Sequence, residues 1–556
     1  MKVTTYDKNL FTAPVYNTFP AFLEGIGRDY ADRPALSWFT RRREEQTLTY
    51  GELVRRATAL RRSLRKRGMS QGDHIAILSE NSADWVTIFL SVTSFGCVAV
   101  CADTEQSDDS IRDMICRSDA KMLFLTPAYL PVCLPLLDSG ALERIFLIGG
   151  LTSDQRVETL NTLYEQGFAL MENESEEPFE VSEAAPAELV FTSGTTSQSK
   201  MVLLSQRAVM QNIREESYNI YFYDRMFSSL PFYHSYGLNC AVLHALLRGI
   251  HLYINGDLKT AMRDLTLAKV ESMLTVPLML EAIHNQIWLS VEKEGRAEEL
   301  RRQLKRSSMC KKLHLPFKFP MLETLRAQVV GTLHTVACGG ASLSVEISEF
   351  FESMGIQVLQ GYGITECSPL ISVNCNYANK PGSVGLPLRC LEVRLDDGEV
   401  CVKGPSVMTG YYKDPEQTAE AIQDGWFHTG DLGYLDKDGF LFLTGRKKNL
   451  IVFKNGKKIS PEKLEELISA IPMVKEVMVS GTANGALADD VKLTASIYPD
   501  PQRTEGMTSY EILEHLQRAI DKINNDLPSY QQIQLVNIRE KEFTKTATKK
   551  IKRHAN

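Results

Sequence analysis

"LVFTSGTTSQSKMVLLS", residues 189–205, runs from an apolar strand pattern into a stretch where nearly every side chain is a hydroxyl or nothing, then back into an apolar run. Thr192, Ser193, Gly194, Thr195, Thr196, Ser197 and Ser199 offer hydroxyls and unobstructed backbone N–H groups, and Lys200 adds one compact positive charge. Donors and a cation gathered after a buried strand suit a polyphosphate. The loop is not of the Walker A type, because GxxxxGK[ST] occurs nowhere in the chain. A Ser/Thr-rich surface loop fits the same residues, and the segment alone does not separate the two readings.

Outward from this loop, short β-rich runs recur between Asp73 and Gly363, among them "HIAILSEN", "KMLFLT", "RIFLIG", "HLYIN", "HTVACGG" and "IQVLQGYG", separated by longer polar stretches with helical spacing. Such alternation predicts parallel α/β layers. Near Leu391 the pattern changes: "LEVRLDDGEVCVKG" alternates apolar with polar, and Asp438-Gly439 between two strand-like runs is a hairpin signal, so a small antiparallel β unit is expected here. Beyond Gly445 the chain reads as a compact α+β module: helix 461–470, strands 475–480 and 491–498, helix 509–526 and strand 532–538. Ile512, Leu516, Ala519, Ile520, Ile523 and Leu527 form a core-facing stripe on the last helix. A domain boundary near 446–448 follows, giving 1–447 and 448–556.

At 556 residues several cores are expected. With 62 basic and 69 acidic residues the net charge is −7, which gives no general attraction to nucleic acid or an anionic membrane. Eleven scattered cysteines form no CxxC pair and no Cys/His ligand spacing, which favours a reducing cytoplasm over a disulfide framework or zinc site. The N-terminus lacks an apolar signal region. Residues 85–102 are uncharged, yet Gly96 divides them, so a buried helix and a core strand are expected rather than a membrane span.

Seven segments in order, "FTSGTTSQSK" (191–200), "LPFYHSYG" (230–237), "CGGASLS" (338–344), "GYGITE" (361–366), "GDLGYLDKDGFLFLTGRKKNLI" (430–451), "NGKKISPEKLEE" (455–466) and "TKTATKKIKR" (544–553), resemble the acyl-adenylate-forming (AMP-binding) superfamily. The resemblance runs from about Tyr50 to Arg553 and lies nearest the long-chain fatty acyl-CoA synthetases. It implies an α/β fold: a large N-terminal domain of parallel α/β layers with a small antiparallel β-barrel, followed by a small mobile α+β C-terminal domain. It also implies a two-step reaction. A carboxylate attacks the α-phosphate of Mg-ATP to give acyl-AMP and pyrophosphate, and a thiol of CoA or of a phosphopantetheinyl carrier protein then takes the acyl group. Two anions must meet, so positioned cations and donors matter more than a covalent nucleophile.

Carried over motif by motif, the resemblance assigns Lys550 as the catalytic lysine between carboxylate and α-phosphate, although Lys545, Lys549 and Lys552 surround it. Glu366, with Thr196, is expected to hold Mg²⁺, and Thr365 to donate to the α-phosphate; a helix-capping Thr-Glu pair is the structural alternative. Thr192, Ser193, Gly194, Thr195, Thr196 and Lys200 take the phosphates. Gly339, Gly340 and Ala341 bring backbone against adenine, Tyr362 between Gly361 and Gly363 stacks on it, and Asp431 and Arg446 bind the ribose. His234 is placed near the acyl carboxylate or the thiol path, against the alternative of a core histidine. Lys448 is the expected hinge, and Gly456 with Lys457 the loop facing the site for the thioester step, with Lys454 and Lys458 nearby; a solvated charged turn fits them equally.

The chain departs from the family pattern at Ser197, Ser199 and Met201, where Gly, Pro and Gly are common, at Gln206, where histidine is common, and at Thr544 and Lys549. None removes a charge the mechanism needs. No aspartate is identifiable for an amino-acid substrate, and the long stretch before "CGGASLS" resembles fatty acyl-CoA synthetases, so a fatty acid is expected. Residues 301–318 are basic with no acid, a candidate peripheral membrane or carrier contact, or a solvated helix face. No carrier domain follows Arg553, so the acceptor is expected from outside. Three functions stay open: fatty acid:CoA ligase, carrier-loading ligase, and a catalytically silent nucleotide-binding module.

Overall fold

The computed structural model describes residues 13–192, 199–313, 319–453, 457–483 and 491–545, with 551 and 553. The chain divides into two compact units: Met1–Glu392 with Val402–Phe427 and Asp438–Phe440, and Val393–Cys401 with His428–Lys437 and Leu441–Asn556.

Two large sheets build the first unit. In one, Pro186–Thr192, Val98–Cys101, His74–Leu78, Ala120–Leu125, Arg144–Leu147 and Val157–Thr159 run parallel in that order, and Lys200–Ser205 then Gly410–Tyr411 extend the Pro186 side antiparallel. In the other, a parallel core of Gln357–Gly363, Thr335–Cys338, Ser272–Thr275, Arg225–Ser228, His251–Ile254 and Pro34–Phe39 is flanked by antiparallel strands. Strands covered on both faces need continuous apolar runs. Val98–Cys101 and Thr335–Cys338 are buried at every residue.

Connecting helices begin at side-chain caps. Thr49 and Glu52 form a reciprocal capping box, and Ser82, Ser107, Ser205 and Ser344 each accept a bond from the first turn. The uncharged stretch resolves as expected into helix Ala83–Thr93, with Trp85 and Phe89 fully buried, and strand Val98–Cys101. Among the described residues no helix is long and apolar enough to cross a membrane.

Strands Trp426–Leu435 and Leu441–Arg446 pair antiparallel, with Asp438-Gly439 in the connection and Gly439 at φ +86°. The C-terminal module is a three-stranded sheet, Val474–Ala483, Val491–Pro499 and Leu535–Ile538, packed by helices Pro461–Ser469 and Ser509–Asn525. These bounds fall within a few residues of those read from the pattern. Ile512, Leu516 and Ile520 enter its core beside Leu464, Ile468, Val479 and Ile497, and each fully buried aliphatic side chain contributes about 1.5–3 kcal/mol. The fold class is therefore α/β, with a large N-terminal domain and a small α+β C-terminal one.

Candidate active site

The opening motif is an antiparallel hairpin in which Thr192 lies opposite Lys200, so this lysine stands at the root of the loop. Ser193, Gly194, Thr195 and Thr196 lie outside the described residues. Ser199 is gripped by Arg117, which donates to its carbonyl at 3.1 Å and its hydroxyl at 3.3 Å, while Asp113 holds the guanidinium at 2.7 Å. Where proline fixes its own backbone covalently, an arginine fork here fixes serine. Met201 finds room in the apolar cluster containing Val98 and Leu189. Gln206 is fully buried; its Oε1 accepts from Phe19 N–H at 2.7 Å and its Nε2 donates to the Thr93 carbonyl at 3.0 Å. That ties together two helix ends, a structural task.

The Lys200 ammonium lies 4.4 Å from the centroid of the Tyr411 ring. The Tyr411 hydroxyl donates to Glu366 Oε1 at 2.9 Å, and Met408 N–H donates to the Glu366 carbonyl at 2.7 Å. Burial, then the neighbouring Glu366 carboxylate, hold the Tyr411 hydroxyl well above its usual range, so it remains a donor.

Thr365 is buried, and the Ser235 hydroxyl donates to its Oγ1 at 3.3 Å, so the "FYHSYG" and "GYGITE" segments touch. The Tyr236 hydroxyl and the Gly339 N–H converge on the Thr275 carbonyl at 3.1 and 3.2 Å. His234 is half-buried and its Nδ1 accepts from Tyr236 N–H at 3.4 Å. Gly340, at φ +83°, and Ala341 form an exposed turn, and Tyr362 is buried, paired with Ser372. Gly361 lies opposite Val373. A Cβ at Gly363 would come within 2.1 Å of the Pro369 carbonyl, so this glycine is demanded by the adjoining strand. Asn212 staples the turn after Glu366 by accepting from Leu370 N–H at 3.2 Å and donating to the Leu370 and Cys367 carbonyls at 2.8 and 3.1 Å.

On strand Pro186–Thr192, Glu188 is fully buried, with Asn239 Nδ2 donating to its Oε2 at 3.3 Å. Burial pushes its carboxyl up to about 8. Cys338, which opens "CGGASLS", and Cys367, just after "GYGITE", are buried, and burial holds both thiols above their usual range, so neither offers a ready thiolate.

In the second unit Asp431, 4% exposed, faces Arg446 across the hairpin, with Oδ1 and Nε 2.9 Å apart. A cavity of about 310 Å³ is lined by Thr429, Gly430, Arg446, Lys447 and the exposed Lys448. Lys457 places its ammonium 4.0 Å from the Tyr530 ring centroid. Lys454, Gly456, Lys549 and Lys550 lie outside the described residues. On either side of Lys550 the chain is pinned: Lys545 bridges Ile551 and pairs with Glu476, and Arg553 pairs with Glu465 and donates to the Val479 carbonyl at 3.1 Å. Asp396, Cys401 and His428 have ligand atoms within 4.8 Å of one another, the one such group among the described residues. Arg394 lies against the Cys401 thiol and Lys447 beside Glu399, so the surroundings oppose a cation.

The structure thus links Lys200 to Glu366 through Tyr411, and joins Thr365 with Ser235 and Asp431 with Arg446. Tyr411, Arg117, Asn212 and Glu188 are absent from the motif reading; "GYYKDPEQT" at 410–418 carries only a helix-cap signal, Asp414 before Pro415.

Fold and motif placement define an adenylate-forming ligase. The profile of the AMP-binding enzyme family matches residues 23–412, and that of the AMP-binding enzyme C-terminal domain matches 448–556. The chain belongs to the AMP-binding enzyme family. It is 26% identical to a long-chain fatty acid–CoA ligase of Mycobacterium bovis over 91% of this chain and 90% of that one, and 27% identical to the peroxisomal long chain acyl-CoA synthetase 7 of Arabidopsis thaliana over 85% and 72%. Among solved structures, an anthranilate–CoA ligase bound to anthranoyl-AMP superposes with a TM-score of 0.78 at 19% identity, covering 97% of this chain and 96% of that one. A fatty acyl-CoA synthetase of Mycobacterium tuberculosis superposes with a TM-score of 0.64 at 20% identity, covering 96% of each.

Proposed function

We propose that this protein is an ATP-dependent fatty acid:CoA ligase that forms acyl-AMP with release of pyrophosphate and passes the acyl group to CoA. The observation that carries the reading is the union of two distant motifs in one place: Lys200 at the root of the phosphate loop and Glu366 of "GYGITE", both in contact with Tyr411. A lysine and a carboxylate held on one tyrosine suit a nucleotide triphosphate and the divalent cation it carries.

In this reading Lys200 and the loop donors Thr192 to Thr196 take the β- and γ-phosphates, and Thr365 donates to the α-phosphate. Adenine rests on the Gly339–Ala341 turn and against Tyr362 within Gly361–Gly363, and Asp431 with Arg446 binds the ribose. Lys550 supplies the positive charge between the two anions, and His234 borders the acyl carboxylate. The Glu366 carboxylate, a hard oxygen donor, fits Mg²⁺, with Thr196 as the second expected ligand. Bound there, Mg²⁺ neutralises phosphate charge. The domains are 1–447 and 448–556, Lys448 is the hinge, and Gly456 and Lys457 serve the thioester step.

Two points support a fatty acid: the long segment before "CGGASLS", and relatives whose names specify long-chain acids. Free thiols at all eleven cysteines suit the cytoplasm. Pyrophosphate release is measured with Mg-ATP across saturated fatty acids of increasing length and across aryl acids, with CoA, an acyl carrier protein or neither. Release that requires a fatty acid and turns over with CoA supports the proposal. Turnover with aryl acids alone, with carrier alone, or none at all overturns it in favour of an aryl ligase, a carrier-loading enzyme or a binding module.

A further inference from the structure

We infer that Tyr411 is a positioning residue that sets the phosphate-loop lysine and the motif glutamate in one fixed arrangement, through two separable contacts. The inference rests on the reading of Lys200 and Glu366 given above. The hydroxyl donates to Glu366 Oε1 at 2.9 Å and orients the carboxylate; the ring face holds the Lys200 ammonium 4.4 Å from its centroid. One side chain therefore touches two groups that lie 166 positions apart in sequence, Lys200 at the start of strand Lys200–Ser205 and Glu366 in the short helical turn Thr365–Cys367.

The backbone around Tyr411 makes the link rigid. Gly410 and Tyr411 lie opposite Leu203 and Val202, so this short strand is zipped to the one that leaves the phosphate loop. Thr409 N–H donates to the Leu203 carbonyl at 2.9 Å and Tyr412 N–H to the Met201 carbonyl at 2.8 Å. Met408 N–H grips the backbone of Glu366 at 2.7 Å, and the Thr418 hydroxyl accepts from Tyr411 N–H at 2.9 Å. Segment 408–412 holds Glu366 by main chain and side chain while it holds the loop strand by main chain and ring.

The two contacts separate by mutation. Tyr411→Phe deletes the hydroxyl and keeps the ring; Tyr411→Leu deletes both; Glu366→Gln is the reference for loss of the carboxylate. ATP binding is measured calorimetrically with and without Mg²⁺ on the full-length chain, beside pyrophosphate release as a function of Mg²⁺. For Tyr411→Phe the expected result is that Mg²⁺-free ATP affinity stays within twofold, the extra affinity conferred by Mg²⁺ shrinks about tenfold, and half-saturating Mg²⁺ rises by a similar factor. For Tyr411→Leu, Mg²⁺-free affinity also falls, about three- to tenfold. A purely structural tyrosine would lower the active fraction without moving the Mg²⁺ requirement. If Glu366→Gln abolishes the Mg²⁺ increment while Tyr411→Phe leaves it unchanged, the inference is wrong and the site reading stands. If Glu366→Gln itself leaves that increment intact, the site reading fails and takes the inference with it.

Discussion

Glu188→Gln should stabilise the first unit, by an amount that grows with pH. The Glu188 carboxyl is fully buried on strand Pro186–Thr192; one amide, from Asn239, serves Oε2, and Oε1 has no described partner. Burial raises it from 4.5 to about 8. Because the folded protein prefers the protonated form, the folded state binds more protons than the unfolded chain between these values, and stability falls as pH rises. It is fully present below pH 4.5 and lost progressively up to pH 8. At about 1.4 kcal/mol per pH unit the whole span costs about 5 kcal/mol, and about 3 kcal/mol of it is already lost at pH 7. Glutamine keeps an acceptor for Asn239 and cannot ionise, so the variant should match the parent near pH 5 and gain steadily above it. All four tryptophans, Trp38, Trp85, Trp288 and Trp426, lie in the first unit, so urea unfolding followed by their fluorescence reports that unit. A stability difference that stays flat from pH 5 to 8.5, or that reverses sign, would mean that folding does not raise the Glu188 carboxyl.

Arg117→Ala frees Ser199 from its two bonds, worth about 1–2 kcal/mol together; KM for ATP should rise about tenfold with the melting temperature little changed, and an unchanged KM would show that the fork does not matter to the loop. Asp431→Asn removes the carboxylate that faces Arg446, which should weaken ATP binding about tenfold or more in direct titration; equal affinity would remove Asp431 from the ribose site. Gly363→Ala drives a methyl into the Pro369 carbonyl, costing about 1–3 kcal/mol, and by displacing Thr365 and Glu366 should cut pyrophosphate release more than tenfold; thermal melting and release assays together check both effects.

The parallel layers were legible because strands buried on both faces read as nearly continuous apolar runs, such as "VAV" at 98–100 and "TVAC" at 335–338, alternating with longer helical stretches. The last long helix was legible because Ile512, Leu516 and Ile520 repeat at helical spacing. The site was legible only where motifs are contiguous. Tyr411 acts on Lys200 and Glu366 from a distant stretch, and "GYYKDPEQT" reads locally as a turn and a helix cap. Arg117 looks like any basic residue in a helix's last turn, and its partner Ser199 is 82 positions away. Glu188 sits in "PAELVFT", where a single charge in an apolar strand hints at burial without naming Asn239. Such contacts are made by the topology, and local pattern does not encode them.

In the proposed reaction a carboxylate is activated as its adenylate under the charge of Lys550. The most direct measurement is pyrophosphate release with Mg-ATP and fatty acid in the absence of any thiol, for the parent chain and Lys550→Ala. Acid-dependent release by the parent is expected, with a drop of at least about a hundredfold in the variant and ATP affinity nearly unchanged. Release that survives in Lys550→Ala, or that proceeds equally without a carboxylic acid, would contradict it.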